Sequence, residues 1–494
     1  MSGDLYSRFA QSFTKFADKI FIEGESRDWT YGEVEREAGR LAARLRRLGV
    51  SPGDRVLVQT EKNVETLILY FAVIRAGAIY LPLNIDYTEA DITYFAQDAT
   101  PVLGVCGDQS ISLFERVGSS ALTVRTLEQL FAGLTDEMLP PVSRQPDDIA
   151  AILYTSGTTG KPKGAMLTNA NLVSNGEVLI DFWQFTRDDR LIHALPIFHV
   201  HGLFIAMHCV LFSGATLIFM PKFESGEVVR HMAGATVLMG VPTFYIRLLG
   251  DERFTQQAAA NMRLFISGSA PLSADIHRAF EARSGHRVLE RYGMTETGML
   301  TSNPYEGERR AGYVGPPLPG VELRVAELES GKVLEQGEVG IVEARGPNVF
   351  KGYWKMPEKT AAEFRPDGYF ITGDMGFIDG DGYVQLVGRE KDLIISGGLN
   401  IYPAEVEALL DERPDVAEAA VIGVPHPDFG EAVVAVISPV GAFDAALVRE
   451  ELRKELAAFK VPKKIIALDS LPRNTMGKIQ KKLLREQYAG LFLT

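Results

Sequence analysis

Residues 154–164 read Tyr154-Thr155-Ser156-Gly157-Thr158-Thr159-Gly160-Lys161-Pro162-Lys163-Gly164 and follow the apolar run Ala150-Ala151-Ile152-Leu153. The apolar run reads as a buried strand. Glycines let backbone N–H groups come close to an anion. Thr155, Ser156, Thr158 and Thr159 add hydroxyl donors, and Lys161 and Lys163 add charge. A strand that opens into such a loop is built to hold phosphate. It is not a Walker A loop, which needs Gly, four residues, then Gly-Lys-Ser/Thr. Here Pro162 follows Gly160-Lys161, and Thr155 stands where the first glycine should be. P-loop ATPase and kinase chemistry is therefore not expected.

A phosphate loop needs a sheet to carry it and a partner surface to face. The 494 residues suggest more than one domain, and 46% hydrophobic residues supply a large core. The first residues carry no apolar signal segment, and no run is long and apolar enough for a membrane span. The two cysteines, Cys106 and Cys209, lie far apart and form no metal-ligand pattern. These features together suggest a cytoplasmic protein. A net charge of −13 speaks against a nucleic-acid partner. Ten Lys/Arg against two Asp/Glu between Arg453 and Arg485 form a basic C-terminal stretch, suited to an anionic substrate or simply solvated.

Strand-like runs at 55–59, 150–153, 215–219, 236–240 and 263–267 alternate with helical stretches such as 31–48 and 64–76. That alternation predicts α/β architecture with largely parallel, helix-covered sheets. From about 314 to 388, short runs between turns such as Asp367-Gly368 and 379–382 predict antiparallel hairpins. Gly388 to Asp392 reads as a boundary before a mixed module of about 100 residues.

Other clusters carry chemistry. Ser267-Gly268-Ser269-Ala270-Pro271 places small residues after a buried strand, where a flat ligand can lie against backbone. Arg291-Tyr292-Gly293-Met294-Thr295-Glu296-Thr297 brings a hydroxyl and a carboxylate together, and a carboxylate beside nucleotide phosphates is a natural Mg²⁺ ligand. Asp374 closes the strand-like run 369–374 and can accept from ribose hydroxyls.

In this order the motifs resemble the acyl-adenylate-forming (AMP-binding) family, which includes acyl-CoA synthetases. The resemblance runs from Trp29-Thr30-Tyr31-Gly32 and 75–84 to Asn474-Thr475-Met476-Gly477-Lys478. It implies a large N-terminal domain, 1–388, of two helix-covered sheets and a small β-barrel-like subdomain. A hinge at 389–392, centred on Lys391, and a small mobile α+β domain, 393–494, would follow. It implies ATP and CoA as cosubstrates with Mg²⁺, and a reaction through acyl-AMP. Thr155, Ser156, Gly157, Thr158, Thr159, Gly160 and Lys163 are then expected at the phosphates. Ser267, Gly268, Ser269, Ala270 and Pro271 are expected at adenine, flanked by Glu290, Arg291, Tyr292, Gly293 and Met294. Tyr292 would stack on the base, Thr295 contact the α-phosphate and Glu296 bind Mg²⁺. Asp374 and Arg389 would hold the ribose, Lys478 stabilise the adenylation transition state, and Gly397 and Gly398 face the CoA thiol. The context of Lys478 also resembles sites of regulatory lysine acylation, so a lysine acyltransferase is an expected partner.

The acid is read from Arg291. A buried guanidinium is costly unless paired, and a second substrate carboxylate would pair with it bidentately. Pairing with Glu290, or exposure to solvent, are the alternatives. His199 is expected near the reacting carboxylate, with His201 and Ser269 lining the acyl site. The stretches 192–203, 237–245, 264–272, 289–297 and 300–305 resemble malonyl-CoA synthetases. That likeness makes malonate the expected acid, with methylmalonate beside it. Competing expectations are a ligase for another short or aromatic acid, an enzyme loading a separate carrier protein, and a nucleotide-binding relative without turnover.

Overall fold

The computed structural model describes residues 4–118, 122–155, 162–397, 399–473 and 478–492. Two large sheets dominate it. The six-stranded sheet runs in the order Thr123–Arg125, Leu103–Cys106, Arg55–Gln59, Ile79–Pro82, Ile149–Thr155, Lys163–Thr168. Only the last pair is antiparallel. The eight-stranded sheet runs Gly298–Ser302, Leu289–Met294, Leu264–Ser267, Val237–Gly240, Arg190–His193, Thr216–Phe219, Ile20–Glu23, Asp28–Thr30. Its central strands are four-residue apolar runs, parallel and buried on both faces. Strands covered on both faces have no polar side to alternate with.

The helices are placed by local chemistry. Thr30 and Glu33 form a reciprocal capping box at the start of the helix Tyr31–Arg47. Asn63 caps Val64–Arg75, whose residues from Thr66 onward are all buried. That helix is apolar all round because it shares one core with strands of both sheets.

The hairpin-rich region expected near 314–388 is a four-stranded antiparallel sheet, Glu322–Ala326, Gly340–Arg345, Phe370–Ile378 and Val384–Arg389. One expectation is corrected here. Asp374 does not end its strand but sits in the middle of Phe370–Ile378, directly opposite Arg389. The cross-strand pairing to Arg389 carries the ladder past it.

From Ile394 onward the chain gathers around separate apolar clusters, one including Ile394, Val406, Val421, Val433 and Leu452. Its strands Val416–His426 and Gly430–Pro439 pair antiparallel, and the helix Lys481–Tyr488 closes the described chain. The basic stretch is partly neutralised within this unit: Lys460 pairs with Glu405, Arg473 with Glu418, Lys481 with Glu407 and Arg485 with Asp392. No helix among the described residues is long and apolar enough to cross a membrane.

Candidate active site

The C-terminal ends of the parallel strands Arg190–His193, Val237–Gly240 and Leu264–Ser267 lie side by side. In open α/β sheets this edge is where ligands bind. Beyond Ser267 the chain turns sharply, and Ser269 takes a left-handed φ of 71°. A side chain held there costs conformational energy that surrounding contacts must offset.

Arg291, on the neighbouring strand Leu289–Met294, lies against this turn. A Cβ placed on Gly268 would come within 2.5 Å of the guanidinium carbon, so glycine is what allows the approach. Arg291 is 3% exposed, and its Nε and Nη2 have no hydrogen-bond partner among the described residues. Burial pushes it down to about 10, so it remains a cation at neutral pH. Neither simple alternative for this side chain is realised. It is not exposed, and Glu290 points elsewhere, accepting from the Gly312 N–H at 3.1 Å. Burial pushes the Glu290 carboxyl up to about 8, which keeps it largely neutral.

Two histidines complete this end. His201 opens the π-helical turn His201–Ala206, and its Nδ1 lies 3.3 Å from the Ser269 hydroxyl. Burial and the Arg291 charge hold His201 well below the usual imidazole range. Burial, aided by the charge of Lys478, pushes His199 down to about 4. The Nε2 atoms of both rings and the hydroxyl of Ser267 also lack partners among the described residues. A buried cation with unsatisfied N–H groups, beside further buried polar atoms of the same kind, is a costly arrangement. An anion with several acceptor oxygens removes that cost.

The second half of the site is built from the next strands. Asp374 accepts from the Tyr292 hydroxyl and pairs with Arg389 at 2.6 Å. Glu296 is buried and accepts from the Tyr353 hydroxyl at 3.0 Å and from Thr155 at 3.3 Å. Burial raises its carboxyl above the usual range. The Tyr353 hydroxyl also lies 2.7 Å from Glu363, so its one proton is shared between the two carboxylates, and Glu363 holds Lys163 at 2.8 Å. Lys163 is thus engaged by a protein carboxylate, and it lies over the Tyr353 ring. Among the described residues no three His, Cys, Asp or Glu converge on a metal-sized site. Glu296 alone suits Mg²⁺, which is held by one or two carboxylates and completes its shell with water and phosphate.

Lys478 reaches this site from the far end of the chain. Its ammonium interacts with the charges of Arg389, Asp374, Arg291 and Glu296. Burial first, then Arg389, pushes it down to about 8. The two sequence-distant groups, 267–296 and 478, therefore share one electrostatic environment. Gly293, Met294 and Thr295 are half-buried beside it, whereas Ala270 and Pro271 are exposed. Ser156, Gly157, Thr158, Thr159, Gly160 and Gly398 lie outside the described residues. Gly397 sits in the exposed connection between Ile394–Ser396 and Leu399–Ile401, its N–H bonded to the Phe429 carbonyl. Lys391 is exposed in the short turn Glu390–Asp392. Sequence reasoning missed Tyr353 and Glu363. The aromatic pair Tyr353-Trp354 was a visible signal, but Glu363 lies in an ordinary polar helix end.

The AMP-binding enzyme family model matches residues 9–354, and the AMP-binding enzyme C-terminal domain matches 405–478. The chain belongs to the AMP-binding enzyme family. This AMP-binding enzyme is 33% identical to a malonate–CoA ligase of Arabidopsis thaliana, over 98% of this chain and 89% of the relative. It is 36% identical to a feruloyl-CoA synthase of Amycolatopsis, over 93% of this chain and 94% of the relative. The crystal structure of ATP-bound MatB from Rhodopseudomonas palustris is 52% identical over 100% of both chains, with a TM-score of 0.96. The apo structure of the same protein gives 0.85 at the same identity and coverage.

Proposed function

We propose that this acid–thiol ligase activates malonate, with methylmalonate as a close second. The observation that carries the reading is the buried Arg291 guanidinium, with Nε and Nη2 unpartnered and the similarly unsatisfied Nε2 of His201 in the same site. A monocarboxylate has only the reacting carboxylate to offer. Malonate has a second, one methylene away, to accept from Arg291 while the first faces the nucleotide. The 33% identity to a malonate–CoA ligase supports the same choice.

In the first half-reaction an oxygen of the acid attacks the α-phosphate of ATP, and the bond to pyrophosphate breaks. Lys478 and Thr295 would stabilise the added charge on the α-phosphate. Tyr292 would lie on the adenine, with Asp374 and Arg389 at the ribose. Ser156 to Gly160 would cradle the β- and γ-phosphates. Mg²⁺, bound through Glu296, would neutralise phosphate charge. In the second half-reaction the CoA thiol attacks the acyl carbonyl and AMP leaves. His199, kept neutral by burial, can hydrogen-bond the acyl oxygen without adding a second cation. We assign residues 389–392 as the hinge about which the unit beyond Ile394 withdraws Lys478 and presents Gly397 and Gly398 to the thiol.

The test is CoA-dependent AMP release with malonate, methylmalonate, succinate, acetate and ferulate, for wild type and Arg291→Ala. Turnover confined to the short diacids, and lost by at least about a hundredfold in the variant, is expected. Preference for acetate or ferulate, or indifference to Arg291→Ala, would discard the diacid.

A further inference from the structure

Lys62 lies in the loop between the strand Arg55–Gln59 and the helix Val64–Arg75, on the side of the six-stranded sheet. Its ammonium reaches across to the eight-stranded sheet. There it donates to the His193 carbonyl at 2.9 Å and the Met220 carbonyl at 2.5 Å. These carbonyls mark the C-terminal ends of two adjacent parallel strands. The ammonium also lies 4.5 Å from the centre of the Phe219 ring. Among the described residues no carboxylate opposes its charge. Burial pushes the Lys62 amine well below the ordinary lysine range, so a lysine held here by carbonyls alone is a poor way to gain stability.

The next link is His193. Its ring is fully buried, and Nε2 donates to the Gly202 carbonyl at 2.9 Å. Burial and the charge of Lys62 keep the ring neutral, so the proton stays on the nitrogen that makes this bond. Gly202 follows His201 in the π-helical turn His201–Ala206. A Cβ on Gly202 would lie 2.1 Å from the Pro196 carbonyl oxygen, so the segment before the turn is closed tightly on it. π turns are less favourable than α-helix and need such outside support.

We propose that Lys62 and His193 are positioning residues for the acid. Lys62 fixes the end of the strand Arg190–His193, and His193 fixes the turn that aims His201 at Ser269 and the Arg291 site. The proposal rests on the acyl-site reading above. The contacts at the nucleotide end, Tyr292–Asp374–Arg389 and Thr155–Glu296–Tyr353, involve neither residue.

The experiment compares Lys62→Met, His193→Leu and His193→Gln as full-length enzymes, measuring KM for the acid, KM for ATP and kcat. Lys62→Met and His193→Leu are expected to raise the acid KM by about tenfold or more, because small displacements of a reacting group are costly. The ATP KM should stay within about threefold of wild type. In His193→Gln the amide can still donate to the Gly202 carbonyl, and the acid KM should return close to wild type. Equal rises in both KM values, an unchanged acid KM, or no rescue by His193→Gln would overturn the assignment. If Lys62→Met does not fold, the two His193 variants decide it. A wild type that turns over another acid, with the same split in its variants, would remove malonate and leave the positioning role standing.

Discussion

Arg291 and Glu290 are neighbours on one strand, face opposite ways, and are both displaced from their ordinary ionisation by burial. They make separate predictions. An unpaired buried guanidinium is a stability liability in the free enzyme. Arg291→Met, which keeps length and removes charge, should therefore raise stability by about 1 to 3 kcal/mol while abolishing turnover of the diacid. Thermal melting with and without malonate reads this directly. A variant less stable than wild type would mean that Arg291 has an internal partner. For Glu290 the sign runs the other way with pH. Its carboxyl titrates near 8 in the folded chain and near the ordinary carboxylate value when unfolded. Between those values the folded state holds the extra proton, so this group's contribution to stability falls as pH rises from about 5 to 8. Glu290→Gln mimics the protonated form. Its stability relative to wild type should grow across that window, as followed by urea unfolding, and a constant difference would show that Glu290 is ionised when folded.

The strand ends and the turns after them give the site its shape. Gly268 illustrates how narrow the tolerance is, since its missing Cβ is the space that Arg291 fills. Gly268→Ala should displace the guanidinium and raise the acid KM by about tenfold or more, with ATP affinity little changed. A matched loss of ATP binding would put Gly268 at adenine rather than at the acid. This level is also where the sequence was most and least readable. The buried strands announced themselves as short apolar runs, and the helix starting at Tyr31 as a helical stretch between them, whereas its Thr30–Glu33 capping box emerged only with the structure. Arg291 was legible because the family resemblance sets it beside the acyl pocket, where a buried cation demands a partner. The π turn was not legible, because His201-Gly202-Leu203 carries the same apolar pattern as an α-helix. Nor was the Lys62 contact, since a lysine before an N-cap reads as solvated, and the carbonyls it bonds carry no residue identity. The basic C-terminal stretch suggested an anion site from its local count alone. Its partners Glu405, Glu407, Glu418 and Asp392 lie upstream, so the neutralisation is visible only after folding.

At the scale of the whole molecule, we propose that the arrangement serves the adenylation half-reaction. The fold matches ATP-bound MatB at a TM-score of 0.96 and the apo form of the same protein at 0.85. In keeping with that, Lys478 stands among Asp374, Arg389, Arg291 and Glu296. Lys478→Ala should therefore abolish acyl-AMP formation, measured as pyrophosphate exchange, while thioester formation from supplied malonyl-AMP survives. Equal loss of both steps would remove the assignment. A pH profile gives an independent check. Burial and the nearby guanidinium of Arg389 push Lys478 down to about 8, so the free enzyme loses this charge as pH rises through that value. The profile of kcat/KM for ATP reports ionisations of the free enzyme. It should fall above about pH 8 in wild type, whereas thioester formation from malonyl-AMP should not share that limb. Lys478→Arg separates charge from position, because its guanidinium stays protonated throughout. Any adenylation it retains should lack the alkaline decline. Persistence of the decline in that variant would assign it to another group in the site.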